Sequence, residues 1–180
     1  MQEPFVPVFE SITGLVLWLN GQNDAAIAIL KAIPAGGGGE APLAMIYAEE
    51  GRYREAADAL LTVPAALFLP GTVDEAARLM RLAPAKVTSS QMLPRLGALG
   101  FVYLYVGAPT RSLEFYDSNA QAGFFLGGII SPLWHRSYAP VRKTEGFKAY
   151  VRAAGMIDYW RARGWPDLCR PVGADDFVCT

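Results

Sequence analysis

The chain has 180 residues, among them one His and two Cys, and its formal net charge is −1. This length fits one domain with a hydrophobic core of ordinary size. Hydrophobic residues make up 52% of the chain and charged residues 18%, which excludes an intrinsically disordered protein, while the small net charge argues against a nucleic-acid-binding surface. Because so few residues are charged, we expect a partner to cover part of the apolar surface.

Neither a secretory leader nor a membrane-spanning helix is expected. Met1 is followed by Gln-Glu-Pro-Phe, without a basic segment. The longest apolar stretch, 124–134, has about half of the ~20 residues that a spanning helix needs. The C-terminal part, 134–180, has 8 basic and 5 acidic residues, and since they are spread along the segment we interpret them as a solvated face.

Helical spacing of apolar residues, interrupted by Gly and Pro, predicts a series of short helices. In chain order they cover 11–20, 25–33, 43–50, 54–63, 73–82, 92–106, 110–121, 124–130, 143–154 and 156–163. Asp24, Thr72 and the pair Ser89 and Ser90 are predicted to cap the helices that follow them. Residues 165–180 lack helical spacing and β-branched alternation is almost absent elsewhere, so the predicted fold is all-α with an irregular or hairpin tail.

Three of the predicted helical hairpins share one spacing. A small residue lies seven positions before the turn glycine, and another lies five positions after it. The three sets are Gly14, Gly21 and Ala26; Ala44, Gly51 and Ala56; and Gly100, Gly107 and Ser112. Small residues at these positions let the two helix backbones approach closely, and the glycine allows the positive φ that ends a helix sharply. Each hairpin alone leaves an apolar face bare, so the pattern predicts stacking.

The run Ala44-x-x-Tyr47-x-x-x-Gly51-x-Tyr53-x-x-Ala56 resembles the tetratricopeptide repeat. The resemblance implies a right-handed stack of antiparallel helical hairpins over 1–133, with degenerate repeats and long linkers. It covers about two-thirds of the chain.

A second resemblance concerns the C-terminal part. The run Pro132-Leu-Trp134 … Tyr138-Ala-Pro140-Val-Arg142 … Phe147 … Gly155 is similar to the closing segment of bacterial tetratricopeptide-repeat regulators, whose arrays follow an adenylyl cyclase or winged-helix domain. It implies a C-terminal helical cap and a Cys-flanked tail over 134–180, continuous with the repeats. It also implies a regulatory or scaffolding role, and it transfers no activity.

The leading hypothesis is a non-catalytic interaction module without cofactor, metal or nucleic acid, whose partner is a protein, a peptide or a second copy. Stacked hairpins present a concave groove lined by first-helix residues. The predicted groove residues are Asn20, Tyr47, Glu49, Tyr103 and Tyr105.

Two other functions stay open. One is a small-molecule sensor domain of a bacterial regulator, with a pocket beneath an aromatic cluster. This cluster comprises Phe101, Tyr103, Tyr105, Phe115, Tyr116, Phe124 and Phe125. The other is an enzyme that uses His135 with Cys169 or Cys179. We interpret His135 as a structural, hydrogen-bonded residue, because nothing near it in the sequence orients the ring as a base.

Cys169 and Cys179 flank a segment whose turn is expected at 173–175. Such a turn places the two cysteines opposite each other in a hairpin, at a separation that a disulfide tolerates. A disulfide, two buried thiols and a metal site with Asp175 and Asp176 stay open, although two thiols and two carboxylates are a poor zinc set. The compartment depends on this outcome: the cytoplasm is slightly favoured, and the periplasm follows if the cysteines are bonded.

Overall fold

A computed structural model describes residues 6–86, 92–123 and 131–180, and over these residues the chain is mostly helical. The α-helices are α1 (Val6–Leu19), α2 (Asn23–Ala32), α3 (Glu40–Glu49), α4 (Tyr53–Leu60), α5 (Thr72–Leu82), α6 (Leu113–Gln121), α7 (Ala139–Arg142), α8 (Glu145–Ala153) and α9 (Met156–Arg163). Short 3₁₀ segments cover Ala65–Leu67, Gly97–Leu104, Pro109–Ser112, Ser131–Trp134 and Arg136–Tyr138, and one small sheet pairs β1 (Cys169–Val172) with β2 (Asp176–Cys179). The predicted helical class is confirmed. The predicted helix over 124–130 and the predicted caps Ser89 and Ser90 lie outside the described residues.

The three predicted turn glycines adopt the same backbone geometry. Their φ angles are +75° at Gly21, +75° at Gly51 and +80° at Gly107. In each turn, the N–H of the residue after the glycine donates to the carbonyl oxygen of the residue four positions before the glycine. The N···O distances are 2.9, 2.8 and 3.0 Å in chain order. This bond closes a Schellman motif, which needs a residue that tolerates positive φ.

The six small residues of the predicted pattern are all buried: Gly14, Ala26, Ala44, Ala56, Gly100 and Ser112. Helix α1 packs on α2, α3 on α4, and α2 and α3 join the two pairs, while α5 packs on α4. Helices α1 and α2 approach so closely that a Cβ atom at Gly14 would lie 2.6 Å from Cγ of Leu30.

The first half of the third hairpin departs from the prediction. In place of a helix over 92–106, the described residues form the 3₁₀ segment Gly97–Leu104. Gly97 has a φ of +54°, which an α-helix does not include. The prediction is wrong because apolar spacing carries no information about a change in backbone conformation.

Helix starts are corrected at three places. Helix α1 begins at Val6, well before residue 11, since Pro7 is tolerated in a first turn. Asp24 and Thr72 lie within the first turns of α2 and α5, and the cap positions are taken by Gln22 and Gly71. The acidic group of Asp24 still complements the helix macrodipole from this position.

The C-terminal part closes the core with α8, α9 and the β-hairpin. Strands β1 and β2 are antiparallel, with Cys169 opposite Cys179, and the structure joins these two residues by a disulfide. Phe177 of β2 is 1% exposed, and its ring packs edge-on against Trp160 of α9. Helix α8 contacts α6, so the C-terminal part is attached to the third hairpin.

Candidate interaction surface

The outward face of α1 is a stripe of exposed apolar side chains. Phe9 is 67% exposed, Ile12 52% and Val16 49%, and their spacing of three and four residues puts them on one face of the helix. The opposite face is buried through Gly14 and Trp18. We call Phe9, Ile12 and Val16 the α1 stripe.

Further apolar residues widen the α1 stripe. Val6 and Val8 of the same helix are 42% and 51% exposed. The helix has one ionisable residue, Glu10, so the face is nearly free of charge. Contiguous exposed apolar surface makes this face of α1 a candidate contact surface.

The structure separates the five predicted groove residues. Tyr47 and Tyr103 are buried at 5% and 1% exposure, so a partner cannot reach them in this conformation. The Arg52 guanidinium covers the Tyr47 ring at 4.1 Å, and the Tyr103 hydroxyl donates to the Pro94 carbonyl oxygen. Asn20 is exposed at the end of α1, where its side-chain amide donates to the Val16 carbonyl oxygen over 2.8 Å.

Glu49 and Tyr105 lie together, but against the chain's own C-terminal part. The Glu49 carboxylate accepts hydrogen bonds from Nε1 of Trp18 and Nε of Arg136, and its side chain is 10% exposed. Burial, reinforced by the charge of Glu49, raises the pKa of the Tyr105 hydroxyl, which lies near Ser137. The segment 135–137 therefore covers this part of the predicted groove.

His135, predicted to be a hydrogen-bonded residue, lies in the same contact. Its ring packs on that of Trp18 with centroids 3.9 Å apart, and its Nδ1 accepts the backbone N–H of Ser137 over 3.3 Å. Burial lowers the pKa of His135 below its usual value, although Nε2 lies 3.8 Å from a Glu49 oxygen that favours the charged form. Because both cysteine sulfurs are in the disulfide, neither serves as the thiol that the enzyme hypothesis requires.

A buried arginine holds the C-terminal part together, and the sequence reasoning did not single it out. Arg142 is 3% exposed. Its guanidinium donates to the carbonyl oxygens of Leu133 (2.7 Å), His135 (2.8 Å) and Thr180 (2.7 Å). Its place in the run Tyr138-Ala-Pro140-Val-Arg142 was the only signal available, and that run does not indicate which carbonyl groups the side chain reaches.

The aromatic cluster encloses little space but borders a larger cleft. A cavity of about 100 Å³ lies among Phe101, Phe115 and Tyr116, too small for a drug-sized ligand. Phe115 also forms part of the wall of a cleft of about 690 Å³ between α6 and residues 67–72 and 95–98. Phe124 and Phe125 lie outside the described residues.

The described residues contain no group of His, Cys, Asp and Glu side chains that could hold a metal ion. Within the same ranges, no helix is long and apolar enough to cross a bilayer. No protein-family model, curated protein or solved structure matches this chain. The likeness to the tetratricopeptide repeat therefore rests on the hairpin residues alone and stays a prediction.

Proposed function

We propose that this chain is a non-catalytic interaction module built from helical hairpins, and that it docks a second copy of itself through the α1 stripe. The observation that carries the proposal is the α1 stripe, three large apolar side chains that are each about half exposed or more on one helix face. A surface of this kind gains free energy when another apolar surface removes it from water.

The chemistry of the face favours a second copy. In a two-fold symmetric contact the same surface meets itself, so a charged face would place like charges opposite each other. The α1 stripe contains no charged residue, and the spacing of Phe9, Ile12 and Val16 is that of the contact positions of paired helices. Two copies of α1 can therefore pack through these residues without repulsion.

The exposed area sets the strength of such a dimer. Burying the exposed part of the five apolar side chains of α1 contributes about 1 kcal/mol each, or roughly 10 kcal/mol for two chains. With an association cost of about 4 kcal/mol, the low end of the range for such contacts, about 6 kcal/mol remains. This value corresponds to a dissociation constant of about 40 µM.

Sedimentation velocity of the whole chain between about 5 µM and 500 µM tests this estimate. We expect the average mass to rise from one chain toward two over this range. Phe9→Glu and Ile12→Glu should keep the chain monomeric, because each places a charge in the centre of the contact.

Tyr159→Glu is the matched control, since Tyr159 is 65% exposed on α9, away from the α1 stripe. This variant should associate as the unaltered chain does. A monomer throughout the concentration range, or association that Phe9→Glu and Ile12→Glu leave unchanged, would overturn the proposal.

A further inference from the structure

The cleft beside α6 has two walls of unlike chemistry. Its volume of about 690 Å³ lies in the range of pockets that hold drug-sized molecules. One wall is apolar and comes from the loop after α4 and from Leu96. The other is the polar face of α6, which includes Glu114, Asp117 and Ser118.

Two large apolar side chains of the apolar wall are exposed to water. Leu67 is 75% exposed and Leu69 is 73% exposed, and both line the cleft together with Phe68, Leu96 and Phe115. Leu96 is fully buried and forms a fixed part of the wall. A ligand with an apolar body would remove the two exposed leucines from water.

The polar wall has an excess of negative charge. Glu114 and Asp117 are one turn apart on α6, so their carboxylates lie on the same side of the helix. Glu114 is paired with Arg111, whereas Asp117 has no ion-pair partner among the described residues. Burial and the nearby charge of Glu114 raise the pKa of Asp117 above its usual value, as expected for a carboxylate that lacks a cation.

We propose that this cleft binds a small amphipathic cation, a compound with an apolar body and an ammonium group, whose body lies on Leu67, Leu69 and Phe115 while the ammonium pairs with Asp117. Arg95 is the one basic residue among the described lining residues. It is exposed, so solvent and salt screen its charge more than they screen the half-buried carboxylate.

Three probes with the same phenyl group, a similar length and different head groups test the proposal: 4-phenylbutylamine, 4-phenylbutan-1-ol and 4-phenylbutyrate. Binding to the whole chain is measured by titration calorimetry, and ¹H–¹⁵N chemical-shift changes locate it. We expect the amine to bind about tenfold more tightly than the alcohol, the factor of one charge-assisted hydrogen bond in a half-exposed site. The carboxylate should bind most weakly.

Two variants assign the contact. Asp117→Asn keeps the size of the side chain and removes its charge, and it should reduce the affinity for the amine to that for the alcohol. Asp158→Asn is the matched control on α9, because the Asp158 side chain is 88% exposed and does not line the cleft. Thermal unfolding of each variant verifies that it is folded.

The outcomes are distinct. A preference for the amine that Asp117→Asn abolishes and Asp158→Asn retains supports the proposal. Absence of binding by all three probes, equal binding of amine and alcohol, or an amine preference that survives Asp117→Asn overturns it. The result does not depend on whether the chain dimerises, because the α1 stripe shares no residue with the cleft.

Discussion

Replacing Gly14 by alanine tests the close approach of α1 and α2. The added Cβ would lie 2.6 Å from both Cγ and Cδ2 of Leu30, about 1 Å inside the ordinary contact distance of carbon atoms. Leu30 is 2% exposed and is held in a cluster with Trp18, Ile33 and Ile46, so it has little room to move away. Overpacking of this kind costs about 1–3 kcal/mol.

A second effect of the substitution opposes the first. Alanine favours a helix over glycine by about 1 kcal/mol, so the net effect of Gly14→Ala is a loss of about 1 kcal/mol in the free energy of unfolding. Gly100 is the matched control, because the repeat pattern gives it the same position in its hairpin. A Cβ there would lie 3.6 Å from its nearest neighbour, an ordinary contact, so Gly100→Ala should be neutral or stabilising by up to about 1 kcal/mol.

Urea denaturation of the two variants and the unaltered chain measures both effects. The opposite signs are the test, since the sequence treats the two glycines alike and only the packing distinguishes them. If Gly14→Ala stabilised the chain as much as Gly100→Ala, the close approach of α1 and α2 would be refuted.

Three further predictions concern the C-terminal part. His135 is the one histidine of the chain, and its pKa is lowered by burial from the usual 6.5. The unfolded chain therefore takes up a proton that the folded chain does not as the pH falls below 6.5. The free energy of unfolding should therefore fall as the pH is lowered below 6.5, by at most about 1.4 kcal/mol per pH unit. The free energy of unfolding of His135→Gln should not show this pH dependence. Arg142→Met leaves three carbonyl oxygens without their donor and should cost about 3 kcal/mol in urea denaturation; a loss below about 1 kcal/mol would contradict the buried network. Cys169 and Cys179 are 10 positions apart. Reduction of their disulfide should lower the free energy of unfolding by about 2.5–3 kcal/mol, because the unfolded chain gains the conformational entropy of the opened loop. An unchanged denaturation midpoint with reductant would contradict this prediction.

Local features of this fold could be predicted from the sequence. The turn glycines at 21, 51 and 107 adopt positive φ as predicted, because a turn depends on residues a few positions apart. The small residues around them are buried, because each lies where the two segments of its hairpin meet. The hairpin register that places Cys169 opposite Cys179 follows in the same way from a turn of three residues. The prediction of a helix over 92–106 is wrong for a reason that is also local. Gly97 adopts a positive φ, which the spacing of apolar residues does not reveal.

The candidate surface depended on contacts between distant parts of the chain. Glu49 was predicted to line an open groove, but Arg136, 87 positions later, pairs with its carboxylate. Both the buried and the exposed sides of α1 have apolar residues at helical spacing, so spacing alone does not distinguish them. The packing of α2 and α3 on one side buries Trp18 and leaves Phe9 and Ile12 exposed to water. The sequence by itself thus determined the three glycine turns and the first two helix pairs. Tertiary structure decided which apolar and charged side chains stay exposed, because burial depends on neighbours that are far away in the chain.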